Sequence, residues 1–153
     1  MKKPNFKALL FSLIFLVLSN NFSFAQEVAG KIYSKEEADK LFGPVLHSIT
    51  MSASQFESLL SQSGDRMLFK FDGSDLYVLN SKRNVMFTTG LQRAFSVSEQ
   101  MKVYSALVVK ELLSKGQSPT VTIEKRESVM SVTDGAYTME NASACPPYCP
   151  HED

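Results

Sequence analysis

Cys145, Cys149 and His151 are the residues of this chain whose types and spacing could do chemistry. Two thiols four positions apart, with an imidazole two further on, can close on a thiophilic ion, because thiolate and imidazole together suit Cu(I) or Zn²⁺. The same thiols can instead form a disulfide in an oxidising compartment, or exchange with a thiol of another protein. The loop such a disulfide closes is short and restrains almost none of the unfolded chain, so the pair does not staple the fold. Thioredoxin-type exchange asks for C-x-x-C at a helix N-terminus, where the dipole lowers the thiol pKa; here C-x-x-x-C sits among prolines.

The segment Cys145-Pro146-Pro147-Tyr148-Cys149-Pro150 is similar to the C-P-x-x-C-P form of the copper motif in the Sco family of copper chaperones. That resemblance implies copper as the cargo, Cys145 and Cys149 as ligands, and His151 or His47 as the third. It covers six residues.

Elsewhere the sequence offers an enzyme little. It has two histidines and no G-x-S-x-G elbow, P-loop, H-E-x-x-H or glycine-rich dinucleotide turn. His47 sits in a short apolar stretch, where a structural histidine is expected. Asp72 and Asp75 flank a turn without the oxygen ligands that Ca²⁺ needs. Glu124, Glu127 and Glu140 form no recognisable acid–base pair and read as solvent-facing. The expected function is therefore that of a non-enzymatic binding or assembly module, with a protein partner or a second copy of the chain as its target and no cofactor; copper or zinc handling, or thiol exchange, at the tail is the alternative.

The compartment comes from the other end of the chain. Lys2, Lys3 and Lys7 precede an apolar run from Ala8 to Leu18 broken by Ser12, and Ser23-Phe24-Ala25 offers small residues where a signal peptidase cuts. The expectation is an exported protein, periplasmic or secreted, with residues 1–25 as signal. The apolar run is short of the ~20 residues a spanning helix needs, so no stable membrane insertion is expected. All 16 acidic residues lie after position 25 but three of the 16 basic ones lie before it, leaving a formal charge of −3. Scattered lysines and arginines with that balance exclude a phosphate-neutralising face, and nucleic acid with it.

Residues 26–33 read as a leader, 34–140 as one domain and 141–153 as a tail. Ser34-Lys35-Glu36-Glu37 has the form of a capping box opening a short helix that Gly43-Pro44 ends. A strand is expected over 45–50. A second helix follows Ser52 or Ser54, with Phe56, Leu59 and Leu60 on one stripe. Alternation then marks strands at 67–71, 76–80 and 85–89 around polar turns, a three-stranded meander. Ser96-Val97-Ser98-Glu99 is a second capping box, and the spacing predicts one long helix from there to Lys115-Gly116, with Val97, Met101, Tyr104, Leu107, Val108 and Leu112 facing the core. Ala106, Val109 and Leu113 then project from the far side as a partner interface. A strand begins after Pro119. Asp134-Gly135 reads as a two-residue hairpin turn that pairs Thr133 with Ala136, Val132 with Tyr137 and Met130 with Met139; its other face, Ser131, Thr133 and Thr138, is expected to be half exposed. The order implies an α+β fold with mainly antiparallel sheet, two three-stranded meanders packed with one long and two short helices. No residue-level repeat links the two meanders.

Overall fold

The computed structural model describes residues 28–127, 129–140 and 142–145. Strand β1 (Lys31–Ser34) runs into helix α1 (Lys35–Phe42), whose first turn is closed by the Ser34 hydroxyl accepting from the Glu37 amide at 3.2 Å. Gly43, at φ +77°, ends that helix. Strand β2 (His47–Ser52) leads directly into α2 (Ala53–Gln62), capped by the Ser52 hydroxyl on the Gln55 amide. Strands β3 (Arg66–Asp72), β4 (Asp75–Leu79) and β5 (Val85–Thr88) form the first meander. Strand β6 (Met101–Ser105) leads directly into α3 (Ala106–Gly116), and β7 (Thr120–Lys125), β8 (Met130–Asp134) and β9 (Tyr137–Glu140) form the second meander. A short β10 (Ser143–Cys145) follows.

The order strand–helix–meander thus occurs twice, as β2-α2-β3-β4-β5 and as β6-α3-β7-β8-β9. The leading strand of each unit pairs with the first strand of the other unit's meander: Ile49 lies opposite Ile123 in β2–β7, and Leu68 opposite Val103 in β3–β6. Two five-stranded sheets result, β1-β9-β8-β7-β2 and β10-β6-β3-β4-β5, with every pairing antiparallel. Because each unit completes the other's sheet, the halves share one core. Met67, Phe69 and Val78 of one sheet, Val121, Ile123 and Val132 of the other, and Phe56, Val109 and Leu112 of the helices belong to the same apolar cluster. The fold is α+β, as the pattern implied.

Several local expectations are corrected. The helix expected from Ser96 starts at Ala106, because Met101–Ser105 is a strand held on both edges, by β3 and by β10. The Ser96–Glu99 signal is a single turn: the Ser96 amide donates to the Glu99 carboxylate at 3.0 Å and the Glu99 amide to the Ser96 carbonyl at 3.2 Å. Val97 and Leu107, assigned to the core stripe, are exposed. The expected interface at Ala106, Val109 and Leu113 is likewise overturned. Ala106 and Val109 are buried in the core and Leu113 is half-buried against it, so this face is covered from within the chain.

The last hairpin turns at Gly135-Ala136, with Gly135 at φ +59°, so Asp134 pairs with Tyr137 and Val132 with Met139. Asp134 stays in the strand, where its carboxylate accepts from the Ser118 amide at 2.9 Å. A slip of two residues preserves the faces. The polar face, however, is buried: Ser131, Thr133 and Thr138 are all inaccessible, and α1 packs against β1 and β9. Both proposed flanks also contribute strand, β1 inside the expected leader and β10 inside the expected tail. Among the described residues, no helix is long and apolar enough to cross a membrane.

Candidate functional site

Two features meet at the β7–β8 end of the first sheet, one on each face. Alternation along β7 puts Val121, Ile123 and Lys125 toward the core and Glu124 and Arg126 outward, where Ser131 of β8 and Glu140 of β9 share their face. Arg126, Glu124 and Glu140 are buried there, not solvent-facing as the sequence suggested, and Arg126 is saturated with acceptors. Its Nη2 donates to Asp39 of α1 at 2.8 Å and to Glu124 at 2.9 Å, its Nη1 to the carbonyl of Gly43, and its Nε to the Ser131 hydroxyl at 3.0 Å. Glu140 Oε1 lies 3.4 Å from Nε and accepts from the Ser131 hydroxyl. Lys35 adds a cation 3.3 Å from Glu124. This cluster ties α1 and the α1–β2 connection to three strands.

Its electrostatics follow from burial. Desolvation disfavours the charged carboxylate of Glu140 and pushes it from 4.5 up to about 7, against the pull of Ser131 and Arg126. Among the described residues, Glu140 Oε2 has no hydrogen-bond partner, which fits an acid that holds a proton near neutrality. Burial pulls the Arg126 guanidinium down, but the bonds to Asp39 and Glu124 outweigh it and the group stays cationic. On the other side of the sheet, burial raises the Tyr104 phenol well above its ordinary value, with Glu140 adding to the effect; it donates to the Met130 carbonyl. With the Arg126 donors committed and Glu124 and Glu140 enclosed, the cluster reaches solvent at Asp39 and Lys35, which are tied into it by ion pairs.

The inner face carries a cavity of about 230 Å³. Phe69 and Phe71 of β3, Lys102 of β6 and Ala144 of β10 line it from one sheet. From the other come Lys125, Val129 and Met130 around the β7–β8 turn, which is closed by the Arg126 amide on the Val129 carbonyl at 3.0 Å. Glu127 also lines it, exposed at the rim. Lys70, a further lining residue, has its ammonium on Glu99 at 2.9 Å.

Compared with known protein families, curated proteins and solved structures, the chain matches none. What the site does is therefore read from its own chemistry.

The residues singled out in the sequence are scattered. Cys149 and His151 lie outside the described residues, and of Cys145 only the backbone, in β10, is described. Among the described residues, no group of three or more His, Cys, Asp or Glu side chains is placed to hold a metal ion. His47 bonds through Nε2 to the Ser74 carbonyl at 3.0 Å and meets the Phe71 ring edge-on, tying β2 to the β3–β4 turn. Asp72 bonds Arg93 at that turn. Neither the Arg126 cluster nor the cavity was anticipated; the signal available was the shared outward parity of Glu124, Arg126, Ser131 and Glu140 on adjacent strands.

Proposed function

We propose that the protein is an exported, non-enzymatic binding module that takes its ligand in the cavity where β3, β6 and β10 meet the β7–β8 turn. The observation that carries this reading is a concave site with an aromatic and aliphatic floor and a few cationic groups at its mouth, the combination that small-molecule sites share. The buried Arg126 cluster holds the turn that forms one wall, so the site is built on strands fixed from behind. A ligand here takes the place of the protein partner expected at Ala106, Val109 and Leu113, since that face is inside the core.

Methyl NMR of the mature protein labelled at methionine tests this. Met130 lines the cavity, whereas Met51 sits in the core beside α2. Addition of benzoate or benzyl alcohol is expected to shift the Met130 signal and leave Met51 in place, with the added compound recovered unchanged. Shifts confined to Met51, or conversion of the compound, would overturn the reading.

A further inference from the structure

Resting on that binding reading, we infer that the ligand is a small organic anion with an apolar body, a compact aromatic or short aliphatic carboxylate. Lys102 and Lys125 are the reason. Lys102 lies opposite Phe69 in β6–β3, and Lys125 follows Val121 and Ile123 on the same side of β7, so both occupy positions whose parity faces the core. Such positions normally carry apolar residues, and a lysine there places a cation at the edge of an apolar chamber. The two come from opposite sheets and line the same cavity.

Neither has an acidic partner within 4 Å among the described residues; Lys125 reaches only the Gly73 carbonyl, at 3.5 Å. The other cations nearby are committed, Lys70 to Glu99 and Arg126 to its carboxylates. Among the described residues, Glu127 is the one carboxylate lining the cavity, set against two ammonium groups that have no acidic partner. The site therefore selects negative charge at its mouth, while Phe69, Phe71 and Met130 select an apolar body inside it. Size narrows the class further. A cavity of roughly 150 Å³ accepts benzene, so 230 Å³ holds about nine non-hydrogen atoms. A carboxylate held by two ammonium groups in a partly dry site makes charge-assisted bonds that its neutral counterpart cannot.

The test compares benzoate with benzyl alcohol, alike in shape and different in charge, titrated to about 10 mM because ligands this small bind weakly. Wild-type protein is expected to bind benzoate about tenfold more tightly, with the preference shrinking as salt is added. Lys102→Met and Lys125→Met are each expected to weaken benzoate about fivefold while leaving benzyl alcohol unchanged, and Lys102→Arg to retain the preference. Thermal melting of each variant confirms that it is folded. Equal affinity for the two compounds, or methionine variants that keep the preference, would overturn the anion assignment and leave the cavity as a neutral site. Failure of both compounds to bind the wild-type protein would instead remove the binding reading itself.

Discussion

Glu140→Gln should abolish the pH dependence that one buried group lends to stability. The folded protein holds Glu140 at about 7 against an ordinary value of 4.5, because desolvation of the charged form outweighs the help of Ser131 and Arg126. Below pH 4.5 the group is protonated whether or not the chain is folded, and its contribution is fully present. Between pH 4.5 and 7 the unfolded chain ionises while the folded protein keeps its proton. The folded state then binds more protons, so stability falls as pH rises, and the loss levels off above 7. A difference of about 2.5 pH units corresponds to on the order of 3 kcal/mol. Glutamine keeps the shape of the neutral acid and does not titrate. Urea unfolding followed by circular dichroism at pH 4.5, 6 and 7.5 gives the stability of both proteins. The difference, variant minus wild type, should climb by about 3 kcal/mol across that window, whatever constant offset the amide brings. Subtraction removes other titrating groups, including Glu99, whose bonds to Arg93 and Lys70 hold it near 2. A flat difference, or one that falls with pH, would show that Glu140 is ionised in the folded protein and that Arg126 outweighs burial.

Arg126→Met leaves Glu124 buried without its guanidinium and should cost about 3–5 kcal/mol at pH 7.5, read by the same unfolding assay; wild-type stability would refute the assignment of the cluster as a tie between α1 and the sheet. Gly116→Ala should lower stability by about 1–3 kcal/mol, since a Cβ there would stand 2.4 Å from the Asp134 carbonyl oxygen, and backbone cannot swing aside; an unchanged melting temperature would contradict that contact. For the tail, the reduced mature protein should retain Cu(I) or Zn²⁺ through gel filtration and Cys145→Ser or Cys149→Ser should not, on the metal reading; uptake of neither ion by the reduced protein would eliminate it. Export with cleavage after Ala25 should give material whose first residue is Gln26 on N-terminal sequencing, and an intact Met1 on secreted protein would remove the premise.

The elements whose signals are local were legible in the sequence. Ser34 and Ser52 cap helices by bonds to the amides three residues on, and the alternation from Met67 to Thr88 is the first meander. Met101–Ser105 was not, because Met101 and Tyr104 also fit a helical stripe. What decides the strand is pairing with β3, thirty-odd positions earlier, and with β10, forty positions later, and no local window contains either. The cluster was missed for a related reason. A charged residue alternating with apolar ones reads as a solvated face until something covers it, and the cover is α1, far away along the chain. The misread register at Asp134-Gly135 did not hide the cluster, because a slip of two residues leaves Ser131, Thr138 and Glu140 on one face either way.

The duplicated architecture also explains why a cavity stands at this end of the molecule and where. Exchanging the two units maps β2 onto β6, β3 onto β7, and the β3–β4 turn onto the β7–β8 turn. Each turn is thereby set near the start of its own unit's leading strand, across the gap between the two sheets. At one junction the gap is filled: His47, the first residue of β2, reaches the Ser74 carbonyl of the β3–β4 turn and packs on Phe71. At the other, β6 begins with Met101, whose parity puts it on the far side of the sheet in the small cluster with Leu68 and Tyr77, and Lys102 follows where a bulky apolar residue would close the space. β10 adds a wall there, at Ala144, and nothing pairs with the corresponding edge of β2 among the described residues. The same backbone arrangement thus yields a plugged junction with an imidazole and an open one with two lysines, so the cavity comes from side chains departing from the repeat, not from the fold that both halves share.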